Sequence, residues 1–219
     1  MERADRGLAF MLQYENIAWY ENGTVRILDR RVYPTKVEFV ECKTVQEVAK
    51  AITDMVTQSA GPYTAAQMGM ALAAYQARNQ DENGWLDFMK NAANVIAHAR
   101  PTTVDRMTIL TNKSLDAAIA AKEKGENVPE AIVEHTIRSN NARYQKIGKM
   151  AEYLVNMFPQ NAKVLTQCFG ETIVGQMLRV ARERGNELKV FCAETRPYFQ
   201  GARLTASVAK DMGFDTTVI

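Results

Sequence analysis

Residues 163–219 read KVLTQCFGETIVGQMLRVARERGNELKVFCAETRPYFQGARLTASVAKDMGFDTTVI, and their alternation of short apolar runs with longer amphipathic ones decides the fold. Lys163–Thr166 is a short strand, and Thr172–Arg184 a helix ended by Gly185. Lys189–Ala193 is a second strand, Phe199–Met212 a second helix ended by Gly213, and Thr216–Ile219 a third strand. Strand–helix–strand–helix–strand at this spacing predicts right-handed βαβ units on a parallel sheet. Three strands make half of a doubly wound domain. Such a sheet needs cover on both faces, so the expectation is that the domain is incomplete at Ile219.

The pattern ahead of Pro159 is different. Ile17–Tyr20 and Thr24–Leu28 flank Glu21-Asn22-Gly23, where Asn-Gly signals a tight hairpin. Val37–Val40 is a third candidate strand, after the break at Tyr33-Pro34. Helical periods then take over. Thr44 with Glu47 makes a capping box, and Val45, Val48, Ala51, Ile52, Met55 and Val56 form one apolar face. Gly61-Pro62 interrupts this run, and a buried, Ala- and Met-rich helix is expected over about Thr64–Ala77. Further helices are expected over Trp85–Ala99 (closed by Arg100-Pro101), Thr103–Lys124, and from Pro129 to about Phe158. The predicted class is α/β: an N-terminal β-hairpin and helical domain over 1–158, then an incomplete Rossmann-like parallel sheet over 159–219.

Composition supports a folded core, with 47% hydrophobic and 24% charged residues. A net charge of +2 gives no reason to expect a nucleic-acid or membrane surface. No run of about 18 apolar residues is present for a spanning helix. Met1–Arg6 carries both signs of charge and leads into no apolar signal core. Cys42, Cys168 and Cys192 are an odd, widely spaced set, which argues against a disulfide framework and for a reducing, cytoplasmic setting. With His98 and His135 as the only histidines, no metal site is expected.

In an open parallel sheet, ligands gather beyond the carboxyl ends of the strands. Leu165–Glu171 and Glu194–Thr205 occupy the two strand–helix turns there. Cys168 falls at a strand end just before a helix, where the helix N-terminus favours a thiolate. A buried structural thiol is the alternative, and it is the expected reading for Cys42 and Cys192. Glu194–Thr205 gathers a carboxylate, guanidinium groups, an amide and a glycine in one turn. Arg196 or Arg203 could pair with phosphate, and Gln200-Gly201 would place backbone N–H groups at a helix start. The alternative is a polar loop with a helix cap and a solvated ion pair. His98, His135, the charge run Lys122–Glu126 and the Ala65–Ala74 stripe all read as structural.

Glu194-Thr195-Arg196-Pro197 followed by Gln200-Gly201-Ala202-Arg203-Leu204-Thr205 closely resembles the signature segment of methylthioribose-1-phosphate isomerases. Ribose-1,5-bisphosphate isomerases carry a similar segment. Leu165-Thr166-Gln167-Cys168 looks like the family's catalytic-cysteine turn, and Ala99-Arg100-Pro101-Thr102 like its phosphate-binding turn. Arg30–Pro34 and Met55–Ala73 also fall in the right order, so the resemblance runs from about Leu12 to Ile219.

The resemblance implies an aldose–ketose isomerase of the methionine-salvage type, acting on a C1-phosphorylated pentose such as 5-methylthioribose 1-phosphate. It further implies a homodimer with no cofactor, no metal, and no nucleic-acid or membrane partner. Cys168 matches the cysteine of the family's cysteine–aspartate acid–base pair. Arg100, Gln200, Gln58, Glu194, Arg196 and Gly201 match or adjoin positions that hold phosphate and hydroxyl groups. The chain departs from the family at Gln58-Ser59-Ala60-Gly61-Pro62, where the family has Arg-Gly-Ala-Pro. Gln58 keeps hydrogen-bonding capacity but not charge. Gln167, Phe169 and Ala193 also differ from the family residues, which points to an altered pentose phosphate. The expected third strand would lead to the catalytic aspartate, and no residue up to Ile219 takes that role. The same fold resembles the α, β and δ regulatory subunits of initiation factor 2B, so a non-catalytic binding role is the alternative. The cysteine turn and the Glu194–Thr205 segment favour the enzyme.

Overall fold

The computed structural model describes residues 3–219; Met1 and Glu2, part of the charged N-terminal stretch above, lie outside the described residues. The helices are α1 (Tyr14–Ile17), α2 (Val45–Thr53), α3 (Gly61–Ala77), α4 (Glu82–Ala97), α5 (Val104–Glu123), α6 (Val128–Asn156), α7 (Glu171–Glu183) and α8 (Ala206–Asp211). The strands are β1 (Ala18–Glu21), β2 (Thr24–Leu28), β3 (Phe39–Cys42), β4 (Lys163–Gln167), β5 (Lys189–Ala193) and β6 (Asp215–Val218).

The chain divides into two compact units. A helical unit comprises Ile17–Arg31 and Glu38–Ser139. A sheet unit comprises the segment ending at Asn16, Val32–Val37 and Asn140–Ile219. The division differs from the one expected at 158/159. The N-terminal segment, a short stretch around Tyr33 and the second half of α6 go with the parallel sheet, because their side chains build that sheet's core.

In the helical unit, β1, β2 and β3 form an antiparallel sheet in that order. Asn22 and Gly23 both take positive φ (49° and 78°), the backbone that the Asn-Gly hairpin turn requires. A Cβ on Gly23 would lie 2.4 Å from the Tyr75 ring, so the turn is also closed in by α3. β3 begins two residues later than expected. The ladder pairs Leu28 with Phe39, which leaves Val37 outside it and 57% exposed.

The expected capping box is present. The Glu47 N–H donates to Thr44 Oγ1 at 3.2 Å, and Glu47 Oε2 accepts from Thr44 N at 3.1 Å. α2 stops at Thr53, because Met55 turns to φ 57° and Val56 N–H bonds back to Ala51 O at 3.0 Å. Val56 still packs, at 2% exposure.

Gly61-Pro62 starts α3 rather than interrupting a helix. Proline at the first turn gives up only an N–H that has no intrahelical partner. From Thr64 to Ala74 every residue of α3 is buried, as befits a helix apolar on all sides. Around it pack α2, α4, α5 and the antiparallel sheet, with Gly69 letting Val48 and Ile96 approach closely.

In the sheet unit, β4, β5 and β6 pair in parallel and in that order, with Lys163 opposite Lys189 and Lys189 opposite Asp215. Val190 and Cys192 of β5 are buried on one face, together with Leu178, Leu204 and Val208 of the core. On the opposite face Leu165 is 67% exposed. The N-terminal segment packs under α6 and α7. Tyr14 OH donates to Asn141 Oδ1 at 2.8 Å, Tyr144 OH donates to Leu12 O at 3.0 Å, and the two rings meet edge-on. Gly175 makes room for Leu12, whose Cδ1 lies 2.3 Å from where a Cβ would sit.

The expected continuous helix over Phe199–Met212 is broken in two. Phe199 has φ 54°, Gly201–Thr205 forms one π-turn, and only then does α8 begin. A Cβ on Gly201 would stand 1.7 Å from Ala193 O, so this turn is pressed onto the end of β5.

Candidate functional site

Cys168 follows the last pair of the parallel ladder, Gln167 with Ala193, and precedes α7. It is half-buried and takes φ 57°, a region that costs a residue with a Cβ about 1–2 kcal/mol. Two threonines from the next strand–helix turn hold its backbone. Cys168 N–H donates to Thr195 Oγ1 at 3.0 Å, and Thr205 Oγ1 donates to Cys168 O at 2.5 Å. The Thr195 hydroxyl itself donates a hydrogen bond to Ala193 O at 3.0 Å. α7 opens at Gly170 with no side-chain cap, and the buried Thr172 hydroxyl in its first turn has no hydrogen-bond partner.

The second turn holds the other candidates of the sheet unit. Arg196 Nε donates to Glu194 Oε1 at 2.5 Å with the guanidinium 74% exposed, which matches the solvated ion pair offered as the alternative reading. Arg203 is not a free phosphate ligand. It donates to Tyr198 O at 2.7 Å and to Tyr33 O at 3.0 Å. Gln200 precedes the π-turn in helical backbone and makes no cap hydrogen bond. The structure thus brings Cys168, Glu194, Arg196, Gln200 and Gly201 to the carboxyl ends of β4 and β5, where parallel-sheet sites lie. The 570 Å³ cavity bordered by Gly185, Lys189, Gly213 and Asp215 lies at the opposite, amino ends of those strands.

Gln58 and Arg100 belong to the helical unit. Gln58 is 4% exposed, ahead of the N-terminus of α3. Its carbonyl accepts from the buried Arg30 Nη1 at 2.6 Å, and its side-chain Oε1 has no partner. The Thr57 hydroxyl is likewise buried and unpartnered. A Cβ on Gly61 would fall 1.8 Å from that hydroxyl and 3.0 Å from Arg30 Nη1. Arg100 heads the turn Pro101–Thr103, which is tied to the end of α2 by Thr53 Oγ1 donating to Ala99 O at 2.7 Å. The turn carrying Gln58 follows α2, and the turn carrying Arg100, which follows α4, is pinned to that same end. The sequence pointed to Gln58 and Arg100, held Thr195 and Thr205 only as members of the signature segment, and passed over Thr57.

The other candidates are structural. Cys42 and Cys192 are buried and unoxidised; burial pushes the Cys42 thiol up to about 11 and raises that of Cys192. His98 is exposed, with Nδ1 2.9 Å from Asn94 O. His135 is pushed below its ordinary value first by burial and then by Arg138 and Lys113. Among the described residues no cluster of His, Cys, Asp and Glu could hold a metal ion, and no helix is long and apolar enough to cross a membrane.

The model of the Initiation factor 2 subunit family matches residues 57–219, which takes in both turns around Cys168 and the start of α3. The chain belongs to this family. Among its relatives, methylthioribose-1-phosphate isomerase 1 of Pseudothermotoga lettingae is 36% identical over 216 residues, covering 92% of this chain and 60% of that protein. The methylthioribose-1-phosphate isomerase of Carboxydothermus hydrogenoformans is 33% identical over 218 residues, covering 94% and 61%. The chain thus spans about three-fifths of the length of these relatives.

Solved structures of the family agree. 5-Methylthioribose 1-phosphate isomerase from Pyrococcus horikoshii superposes with a TM-score of 0.75 at 26% identity, over 93% of this chain and 59% of that one. The delta subunit of translation initiation factor 2B from A. fulgidus gives 0.73 at 31% identity, over 93% and 62%. The mixed α/β architecture, with its helical part and its parallel sheet, is the family's fold.

Proposed function

We propose that this chain carries the sugar-binding and thiol part of an aldose–ketose isomerase acting on a C1-phosphorylated pentose of the 5-methylthioribose 1-phosphate class. The observation that carries the reading is the Cys168 turn. A half-buried thiol is held in left-handed backbone at a parallel-strand end by the very segment, Glu194–Thr205, that carries the family resemblance. Isomerisation at C1 and C2 moves hydrogen between adjacent carbons. It needs a group that can give and take a proton there, and a thiol at a strand end is suited to that role. Gln200 and the N–H groups beside Gly201 would meet sugar hydroxyls; in the helical unit, Arg100 is a phosphate ligand by the family resemblance alone. Glu194 and Arg196, already paired, would line the mouth. Gln58 presents a neutral amide, which suits a hydroxyl better than a phosphate.

No cofactor or metal enters this reading. A homodimer, a reducing cytoplasmic setting for three free thiols, and no nucleic-acid partner complete it.

The test is ligand protection. Alkylation of Cys168 by iodoacetamide is followed by mass spectrometry with and without 5-methylthioribose 1-phosphate and ribose 1-phosphate. Protection of Cys168 that is lost in Gln200→Ala supports the reading, and turnover abolished by Cys168→Ser completes it. Labelling unaffected by any pentose 1-phosphate overturns it. It would leave the non-catalytic binding role that the likeness to the initiation factor 2B subunit brings forward.

A further inference from the structure

We infer that Thr195 and Thr205 are positioning residues for the Cys168 thiol, acting only through the cysteine's backbone. The inference rests on the reading of Cys168 as the proton-transfer group.

Cys168 lies one residue beyond the parallel ladder and three before the start of α7, so neither element fixes its conformation. Left to itself, a cysteine at φ 57° would relax to negative φ, because its Cβ crowds the following carbonyl. What opposes that relaxation is a pair of side-chain hydrogen bonds, one to each flanking peptide group. A backbone N–H can only donate and a carbonyl can only accept, so the sense of each bond is fixed. Thr195 Oγ1 accepts from Cys168 N and itself donates to Ala193 O. Thr205 Oγ1 must donate to Cys168 O.

Both threonines are themselves held. Thr195 is at φ 61°, and its Oγ1 lies 3.1 Å from where a Cβ on Gly201 would sit, so the glycine fits against it. Thr205 is fully buried and closes the π-turn. Reversing φ at Cys168 would break both bonds at once and bury an unpaired carbonyl opposite an unpaired hydroxyl. The thiol direction is set by the Cα–Cβ bond, and hence by this backbone. Proton transfer to a sugar carbon tolerates little error in that direction.

The remaining hydroxyl groups near the turn do not substitute for the pair. The Thr172 hydroxyl is unpartnered, and Thr166 Oγ1 donates to Phe191 O at 3.2 Å. The two clamping hydroxyls come from residues 27 and 37 positions away in sequence, so the thiol's direction is coupled to the geometry of the sugar-contacting turn itself.

The experiment compares Thr195→Val, Thr205→Val, Thr195→Ser and Thr205→Ser with the parent chain. The first readout is the pH profile of the Cys168 alkylation rate by iodoacetamide, which needs no turnover. The valine variants are expected to change the rate at pH 7.5 at least about 5-fold and to displace the profile along the pH axis. The serine variants, keeping the hydroxyl, should stay within about 2-fold. In the pentose 1-phosphate isomerase assay, run on protein that also supplies a residue in the aspartate's role, the valine variants should lose kcat about 10- to 100-fold with KM within about 2-fold. If Thr205→Val does not fold, Thr195→Val and the two serine variants still decide the matter. Valine variants with the parent's profile and kcat overturn the clamp. Serine variants as damaged as the valine ones also overturn it, because packing rather than the hydroxyl would then be at work. An alkylation profile that responds as expected in a chain where Cys168→Ser leaves turnover intact would keep the clamp and sink the catalytic role of the thiol.

Discussion

Gly201→Ala is the sharpest structural test of how the second turn is seated. A Cβ built on Gly201 falls 1.7 Å from Ala193 O, 2.9 Å from Ala193 C and 3.1 Å from Thr195 Oγ1. A carbon and an oxygen in ordinary contact stand more than about 3 Å apart, so the turn or the end of β5 must move by about 1.5 Å. Neither is a flexible side-chain end. The carbonyl belongs to the last ladder pair and accepts the Thr195 hydroxyl. Overpacking of this kind costs about 1–3 kcal/mol, and loss of the Thr195 bond adds about 1. Alanine returns about 0.4–1 kcal/mol by restricting the unfolded chain. The net loss is about 1–3.5 kcal/mol, or a Tm lower by about 2–14 °C for a chain of this size. Gly185→Ala is the control. Its φ of 63° carries the left-handed cost, but nothing lies within 4 Å of the new methyl, so about 1–2 kcal/mol and a smaller Tm change are expected. Thermal unfolding followed by circular dichroism measures both. Should Gly201→Ala lose no more stability than Gly185→Ala, the close seating of the turn on β5 is wrong.

Three further outcomes follow from the same geometry. Under native conditions at pH 8, iodoacetamide should modify Cys168 and spare Cys42, whose buried thiol is pushed up to about 11, and Cys192; peptide mapping that finds all three equally labelled would contradict the burial pattern. His135 is held below its ordinary 6.5 by burial, then by Arg138 and Lys113, with Asp116 opposing. The unfolded chain therefore takes up this proton more readily, and the stability tied to neutral His135 is full above about pH 6.5 and lost as pH falls through the lowered folded value. The urea midpoint should drop from pH 7 to pH 5.5, and His135→Asn should flatten that slope. Thr44→Ala removes the hydroxyl half of the α2 capping box, leaving the bond from the backbone N–H at position 44 to Glu47, and should cost about 1 kcal/mol, with Thr44→Ser close to the parent; equal midpoints in urea for all three would show the hydroxyl cap to be idle.

The parallel sheet was legible because each of its elements is locally consistent. Apolar strands, Gly-terminated helices and even spacing all agree, and β5 matches its expected bounds, Lys189–Ala193. The errors cluster where long-range contacts override local propensity. Residues 199–205 carry a helical pattern, and a continuous helix was the natural expectation. The close approach of Gly201 to Ala193 O and the positive φ of Phe199 break it into a π-turn instead. Gly61-Pro62 looked like an interruption because the pair is a local turn signal, whereas here proline occupies the first turn of α3. Cys168 could be singled out because a strand end before a helix is visible in one dimension. Thr195 and Thr205 could not, since nothing in their own neighbourhood announces a bond to residue 168. Burial of Thr57 and Gln58 with unsatisfied oxygens was equally invisible, as it depends on Arg30 and Gly61 closing over them.

The distribution of backbone strain gives the candidate residues a support that does not depend on resemblance. Seven described residues other than glycine take positive φ: Asn22, Met55, Ser59, Asn161, Cys168, Thr195 and Phe199. Asparagine tolerates this region, and Asn22 has a plain turn role. The remaining five all lie within three residues of Gln58 or within the two turns around Cys168 and Gln200. A fold under no demand but stability would place glycine or asparagine at such positions and recover about 1 kcal/mol at each. Retaining methionine, serine, cysteine, threonine and phenylalanine there costs several kcal/mol in a chain whose whole stability is of the order of 10. Strain of that size persists where side chain and backbone direction are both required, which is the condition for holding a substrate against a reactive group. In the sheet unit the requirement is met by hydroxyl bonds to a thiol-bearing turn. In the helical unit Arg30 holds the Gln58 backbone carbonyl, and Gly61 lets the turn close on Thr57. On the proposed reading, the first arrangement would fix where a proton can be taken, and the second would suit an uncharged partner better than a phosphate at Gln58.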